Sequence, residues 1–300
     1  MNNRTDEIAA KFLGKKTEGS FEYNPELLVA VPREENRRHY DIDNRKLPFE
    51  GFDVWHAFEF SAMTENSVPV TRVLKIKYSC ESDYIVESKS LKLYLNSFNM
   101  RKIGATVKDC LDLCKVDIVR DLSAKLGVTV EAEFLKISAE RREIFAKFRN
   151  ITDFVEEGSL NITKFKESPE FLRVNPASEM RVNHIMFESL RSNCRVTQQP
   201  DFGSVFIYYK SQKHIDEASL VEYLVSFRSE YHFHEECCEM IYKRLYDLLE
   251  EDAELMVCAL YTRRGGINIC PVRYCKNYAP DENIMKLGTT SLFADYGINL

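Results

Sequence analysis

A thiol and a carboxylate stand seven residues apart in Ser192-Asn193-Cys194-Arg195-Val196-Thr197-Gln198-Gln199-Pro200-Asp201-Phe202, a polar stretch between two strand-like runs. A cysteine attacks carbon as its thiolate, which a polar or electropositive setting favours and an apolar core does not. Arg195 brings positive charge next to the thiol, and Asp201 could move protons once the thiol has reacted. The plainer alternative is a small cysteine buried in a loop, the commoner state of an arbitrary cysteine.

Three other stretches could serve such a nucleophile. In His232-Phe233-His234-Glu235-Glu236-Cys237-Cys238 the density of histidines, carboxylates and thiols suggests zinc. On a helix, however, His234 shares a face with Cys237 or Cys238 while His232 precedes the helix, and no second ligand pair at CxxC spacing exists. No metal is therefore expected. His234 and Glu235 open a helix facing a site, and Cys237 and Cys238 pack inward. Glu87-Ser88-Lys89-Ser90-Leu91-Lys92 joins cations and hydroxyls at a helix start, where unpaired backbone N–H groups suit a phosphate. A solvated helix start would look the same. Arg263-Arg264-Gly265-Gly266 follows a strand, so two guanidiniums could grip an anion while glycines let the backbone approach it. A basic hairpin turn explains that run equally well. Neither a Gly-x-Gly-x-x-Gly turn nor a Walker loop is present, so any nucleotide is held by other means.

The chain has 300 residues, enough for one large or two ordinary domains. Its 44% hydrophobic and 29% charged residues are those of a soluble globular protein. A net charge of -6 supplies no global field for nucleic acid. Met1 to Lys16 lacks the apolar centre of a secretory signal, and no apolar run is long enough to span a bilayer. Nine scattered cysteines read as reduced thiols of a cytoplasmic protein.

The elements that must position these residues follow from periodicity. Residues 1 to about 50, with Pro25, Pro32 and Pro48 among charges, read as an arm wrapping the first module rather than a core element. Val54 to Ser61 and Pro69 to Tyr78 alternate as strands around the turn Glu65-Asn66-Ser67. A short helix reaches about Asn99. A longer one carries Val107, Cys110, Leu111, Cys114, Ile118 and Leu122, with Gly127 as its stop. Val128 to Ile137 alternates as a strand, and residues 151–178 read as a connection. The pattern then restarts, with strands at Asn183–Leu190 and Ser204–Lys210 and helices at Glu217–Phe227 and His234–Glu250. Strands at Glu254–Tyr261 and Ile267–Tyr274 complete it. Leu91 to Phe98 matches Leu220 to Phe227 at five of eight positions without a gap, the mark of an internal duplication. Two copies of strand, strand, helix, helix, strand, strand imply antiparallel sheets in an α+β fold, whose open edges favour pairing with another copy.

With these motifs in order, the chain resembles the NADPH-dependent 7-cyano-7-deazaguanine reductases of queuosine biosynthesis, in their two-module form. Glu87 to Tyr94 looks like that family's NADPH signature, and Ser192-Asn193-Cys194 with Gln199-Pro200-Asp201 like its nucleophile segment. Phe233-His234-Glu235, Tyr261 to Gly266, Leu47-Pro48-Phe49 and Asp53-Val54-Trp55 extend the likeness. The resemblance implies tandem tunnelling-fold modules over 1–150 and 179–300, each a four-stranded antiparallel sheet with two helices, and a homodimer. It also implies catalysis without metal and no direct contact with nucleic acid or membrane. By the same likeness Cys194 attacks the nitrile to give a thioimide, Asp201 donates the proton to nitrogen, and His234 protonates or orients. Val86, Glu87, Ser88, His234 and Glu235 correspond to substrate contacts, and Ser88, Lys89, Arg264 and Gly265 to NADPH contacts. Arg195 after the nucleophile, and Phe202 where some relatives have tryptophan, depart from the pattern. Without the resemblance, Cys194 and Asp201 would equally suit a thiol hydrolase, or an inert thiol in a purine- or pterin-binding module.

Overall fold

The computed structural model describes residues 22–135, 141–278 and 280–295. Twelve strands run in chain order: β1 (Ala30–Pro32), β2 (Glu50–Met63), β3 (Pro69–Ser79), β4 (Tyr84–Val86), β5 (Val130–Leu135), β6 (Arg141–Glu143), β7 (Arg149–Asn150), β8 (Val174–Asn193), β9 (Pro200–Ile215), β10 (Glu254–Tyr261), β11 (Ile267–Tyr274) and β12 (Phe293–Asp295). Eight of them form one sheet in the order β5-β3-β2-β11-β10-β9-β8-β7, antiparallel throughout except for the β7–β8 edge. The first half of the chain gives this sheet β2, β3 and β5, the second half gives β8 to β11, and the two-residue β7 at the end of the first half adds the far edge beside β8. The two sets meet where β11 pairs with β2, with Ile269 opposite Trp55. The expected strands at 54–61, 69–78, 254–261 and 267–274 are all present, and those at 183–190 and 204–210 are the middles of longer strands. Lys136 and Ile137, read as the end of a strand, lie outside the described residues.

Helices cover one face of the sheet. Ser88–Asn96 and Val107–Leu126 pack on the first half, Glu217–Val225 and His234–Leu248 on the second. The Val107 helix starts at a capping box between Thr106 and Asp109 and stops at Gly127, whose φ of 68° is the left-handed conformation glycine adopts without strain. Cys110, Cys114, Ile118, Leu122 and Leu126 are buried along it at helical spacing, as its periodicity predicts. Among the described residues no helix is long and apolar enough to cross a membrane.

The two halves repeat each other in detail. Ser90 Oγ donates to Glu87 O and Ser219 Oγ to Asp216 O, both at 2.7 Å. Ser97 Oγ donates to Tyr94 O and Ser226 Oγ to Tyr223 O, both at 2.6 Å. Tyr94 meets Phe98 edge-on as Tyr223 meets Phe227, each at 87°. The same serines receive backbone N–H groups from residues flanking two short Pro-Glu turns: Asn24 and Val29 around Pro25–Leu27, and Ser168 and Arg173 around Pro169–Phe171. The duplication thus extends into the two segments read as irregular.

For residues 22–50 this corrects the reading of an arm wrapping the first module rather than a core element; residues 1–21 lie outside the described residues. Leu28, Val31, Tyr40, Ile42 and Phe49 are buried, the last three in the core of the second half. Arg33 and Arg37 are buried with them. Arg37 binds Glu239 through Nε at 2.9 Å and Nη2 at 2.8 Å, Arg273 binds Glu239 at 2.9 Å and Asp53 at 2.8 Å, and Arg33 pairs with Asp53. Charges usually mark solvated chain, which is why periodicity hid this segment. Here each guanidinium has a carboxylate partner, the condition under which burial is tolerated.

Candidate active site

Cys194 is the first residue of the turn joining β8 to β9. Its N–H donates to Gln199 O at 2.8 Å and its carbonyl accepts from Gln198 N at 2.9 Å, with Gln198 at a φ of 56°. Asn193 anchors the turn by donating through Nδ2 to the carbonyls of Arg228 and Glu230. Val31 and Ile85, from the two-stranded β1–β4 ribbon of the first half, pack with Cys194, Val196 and Phe233. The nucleophile's turn is therefore backed by the segment that looked least structural in the sequence.

A cavity of about 170 Å³ opens over this turn, at the seam between the halves. Glu87, Ser88, Lys89 and Lys92 line it from the first half, and Cys194, Thr197, Asp201, His232, His234, Arg264 and Gly265 from the second. Cys194 is 6% exposed, and its sulfur lies 3.5 Å from the Thr197 N–H, a donor suited to a thiolate. On the helix that His234 opens, burial pushes the Cys237 thiol up to about 12 and raises that of Cys238 as well.

Asp201 enters the cavity because β9 pairs with β8 in the register that sets Asp201 opposite Ser192. One carboxylate oxygen lies 3.3 Å from His234 Nε2 and the other 3.0 Å from Arg264 Nη1. His234 opens its helix, as expected, and its ring lies on that of Tyr261. The thiol, the carboxylate and the imidazole thus reach one cavity from a hairpin, a strand and a helix start.

Glu235 and Val86 are buried next to this cavity and do not line it. Burial pushes the Glu235 carboxyl up to about 8; Asp53 adds to the rise and Arg33 opposes it. Glu235 Oε1 is buried without a hydrogen-bond partner, an acceptor left for a ligand's N–H. Glu87 caps its helix by accepting from Lys89 N at 3.0 Å and Ser90 N at 2.7 Å. These are the amides expected to face a phosphate, so an anion at this helix start meets the Ser88 and Lys89 side chains instead. Burial raises the Glu87 carboxyl against these two hydrogen bonds.

Sequence reasoning placed both Arg263 and Arg264 on an anion. Only Arg264 lines the cavity; the Arg263 guanidinium lies 4.5 Å from the Phe58 ring centre. Gly265, at a φ of 59°, passes so close to Lys92 that a Cβ there would lie 2.9 Å from Nζ. Lys89, Lys92 and Arg264 thereby offer three cationic groups and a side-chain-free backbone to one anionic ligand, a fit to a phosphate-bearing cofactor. Arg195 is engaged away from the thiol, by Tyr231 O at 3.1 Å, His232 Nδ1 at 3.2 Å and Glu236 at 3.5 Å. Burial disfavours a charged His232, yet hydrogen bonds to Glu230 and Glu236 raise its proton affinity above the usual. Among the described residues no three His, Cys, Asp or Glu side chains converge as a metal set. Thr197 and Tyr261 were given no role from sequence, because only the hairpin geometry and the ring stack reveal what they touch.

Comparison with known proteins places the chain among relatives of known activity. Residues 20–134 match the family model described as "Nitrile reductase, 7-cyano-7-deazaguanine-reductase N-term". Residues 200–281 match the model described as "QueF-like protein". A protein of Colwellia psychrerythraea named NADPH-dependent 7-cyano-7-deazaguanine reductase is 36% identical over 274 residues, covering 89% of this chain and 92% of its own. One of Buchnera aphidicola with the same name is 34% identical over 257 residues, covering 86% and 95%.

Proposed function

The chain belongs to the 7-cyano-7-deazaguanine reductase family, and from that premise we propose that it uses NADPH to reduce the nitrile of 7-cyano-7-deazaguanine to 7-aminomethyl-7-deazaguanine. The observation that carries this reading is the seam cavity, where Cys194, Asp201 and His234 face Ser88, Lys89, Arg264 and Gly265.

A nitrile carbon is a poor hydride acceptor, and covalent attachment divides the difficult step. Cys194 Sγ bonds to that carbon as one C–N π bond opens. Asp201 takes the thiol proton and passes it to nitrogen, which leaves a neutral thioimide and a restored carboxylate. When bound, NADPH supplies the two hydrides, one per cofactor molecule. Cys194 departs as thiolate after the first reduction, leaving an imine for the second. His234, 3.3 Å from Asp201, holds that carboxylate and shares its protons. Ionised Glu235 accepts the paired N–H donors of the guanine-like edge. Glu87 and Ser88 complete the substrate pocket with Val86 packed behind them, and Glu87 uses lone pairs not taken by its helix cap. Lys89, Arg264 and Gly265 hold the cofactor with Ser88.

We read the two halves, 1–150 and 179–300 joined by 151–178, as tandem tunnelling-fold modules, and the native enzyme as a cytoplasmic homodimer. The paired serine and tyrosine interactions of the two halves support the duplication. All nine cysteines are free thiols, which suits a reducing compartment.

The test mixes protein, NADPH and 7-cyano-7-deazaguanine and follows nicotinamide absorbance beside a Cys194→Ala variant. Two NADPH consumed per nitrile, and none with the variant, is the expected outcome. Nitrile binding without NADPH oxidation by the wild type would refute the reading in favour of a hydrolase or a binding module.

A further inference from the structure

Asp201 is committed to two partners before any ligand arrives. Its side chain is only 4% exposed, with Arg264 3.0 Å from Oδ1 and His234 3.3 Å from Oδ2. Arg264 Nη1 also donates to Thr197 Oγ1 at 3.3 Å, tying its turn to the hairpin that bears Cys194. The groups facing the carboxylate come from three elements: His234 and Cys237 from the helix, Tyr261 and Arg264 from β10 and its turn, and Cys194 from the hairpin. Of these, Arg264 alone is permanently charged.

The two members of the ion pair differ in freedom. Asp201 is locked in strand register opposite Ser192. Arg264 is 36% exposed and leads into Gly265 and Gly266, both in the left-handed region at φ of 59° and 79°. A guanidinium at the rim of a cavity can be re-aimed; a carboxylate fixed in a sheet cannot. Arg264 is also one of the residues assigned above to the cofactor, so it is claimed by two anions, of which only Asp201 belongs to the protein.

Resting on that cofactor assignment, we propose that Asp201 is the internal counter-ion of Arg264 in the free enzyme. Arg264 exchanges it for the cofactor's phosphate on binding, so cofactor affinity is opposed by the charge on Asp201. Once Arg264 has left, Asp201 remains in a nearly dry site beside His234, a cation only when it holds a proton. An unpaired buried carboxylate is costly, and one proton taken up by the Asp201–His234 pair removes that cost. Such coupling suits the stoichiometry. Nitrile, two NADPH and two protons become amine and two NADP⁺, so each cofactor must be accompanied by one proton. By linkage, whatever neutralises Asp201 strengthens cofactor binding by the same factor that binding favours neutralisation.

The test uses NADP⁺, which binds without turnover, in calorimetric titrations at pH 7 in two buffers of different ionisation enthalpy. Wild type is expected to take up a measurable fraction of a proton per NADP⁺. Asp201→Asn is expected to bind NADP⁺ about fivefold tighter or more, without proton uptake. Arg264→Gln should bind more weakly, and Asp201→Asn added to it should give no gain. Equal or weaker binding by Asp201→Asn, a gain that survives in Arg264→Gln, or buffer-independent heats for the wild type would each overturn the proposal. The wild-type measurement stands even if a variant fails to fold. Wild type that binds NADP⁺ and reduces the nitrile without coupling sinks this inference alone; wild type that does neither sinks the cofactor assignment with it.

Discussion

The imidazole of His234 lies flat on the phenol of Tyr261, with ring centres 3.7 Å apart and planes 4° from parallel. Tyr261 ends β10, so the stack ties the first residue of the helix to the central sheet and fixes how the imidazole presents Nε2 to Asp201. Tyr261→Phe keeps the ring and should keep kcat. Tyr261→Leu removes the stack. Aromatic pairs contribute about 0.5–1.5 kcal/mol beyond their burial, so kcat should fall up to about tenfold. Steady-state kinetics decide it: the KM for the nitrile should stay unchanged, because the ring acts on proton transfer.

Glu235 gives the pH dependence a definite sign. Its carboxyl is pushed up to about 8 from a usual 4.5, so between these values the folded protein holds a proton that the unfolded chain releases. Folding stability contributed by this group is therefore full below the lower value and declines as pH rises toward the upper one. Nitrile affinity should move the other way, rising between pH 6 and pH 8.5 as the acceptor carboxylate forms. Glu235→Gln should unfold at higher urea than wild type at pH 8, by about 1 kcal/mol, and lose at least tenfold in nitrile affinity. Urea midpoints at pH 5 and pH 8 would expose an error, since the gain should vanish at the lower pH.

Gly265 separates the two ligands of the seam. Alanine there meets a φ of 59° and would set its Cβ 2.9 Å from Lys92 Nζ. A left-handed alanine costs about 1 kcal/mol, and the displaced ammonium adds to the loss. Gly265→Ala should raise the KM for NADPH about tenfold or more, while the Cys194 adduct with the nitrile, read by intact mass, forms as in wild type. Loss of the adduct would place Gly265 in the nitrile pocket instead.

Local order was readable where one physical signal dominates. Alternation marked β2 and β3, because each buries at least one full face, and Gly127 marked a helix end because few residues tolerate its backbone. The seam was legible only as separate motifs. Nothing in the spacing of Ser88, Cys194, His234 and Arg264 says that they line one cavity; the β2–β11 pairing brings them there. Residues 22–50 were misread for a related reason. Arg33 and Arg37 look like solvent-facing charges until Asp53 and Glu239, distant in sequence, are seen to neutralise them. The Glu87 cap was hidden too, since a carboxylate beside Lys89 reads as a partner for the lysine rather than for its amide.

That buried ion cluster yields the last prediction. Glu239 accepts from Arg37 at 2.8 Å and Arg273 at 2.9 Å, and Asp53 holds Arg33 and Arg273. Burial alone would raise the Glu239 carboxyl, but Arg37 and then Arg273 hold it well below the usual range. Its contribution is therefore complete above the unfolded carboxylate's value and is lost as pH falls toward the folded one. Glu239→Gln would leave three buried guanidiniums facing the single carboxylate of Asp53. Removing one partner of a buried pair costs about 3–5 kcal/mol, because the remaining charges are uncompensated. The urea midpoint should drop accordingly with an unchanged slope. Glu239 lies one helical turn beyond Glu235, on the helix that His234 opens, so the cluster fastens that helix to the segment bearing Arg33 and Arg37. Activity at low denaturant should then fail in parallel with folding; full activity in a protein destabilised by several kcal/mol would show that the cluster holds the fold without positioning the site.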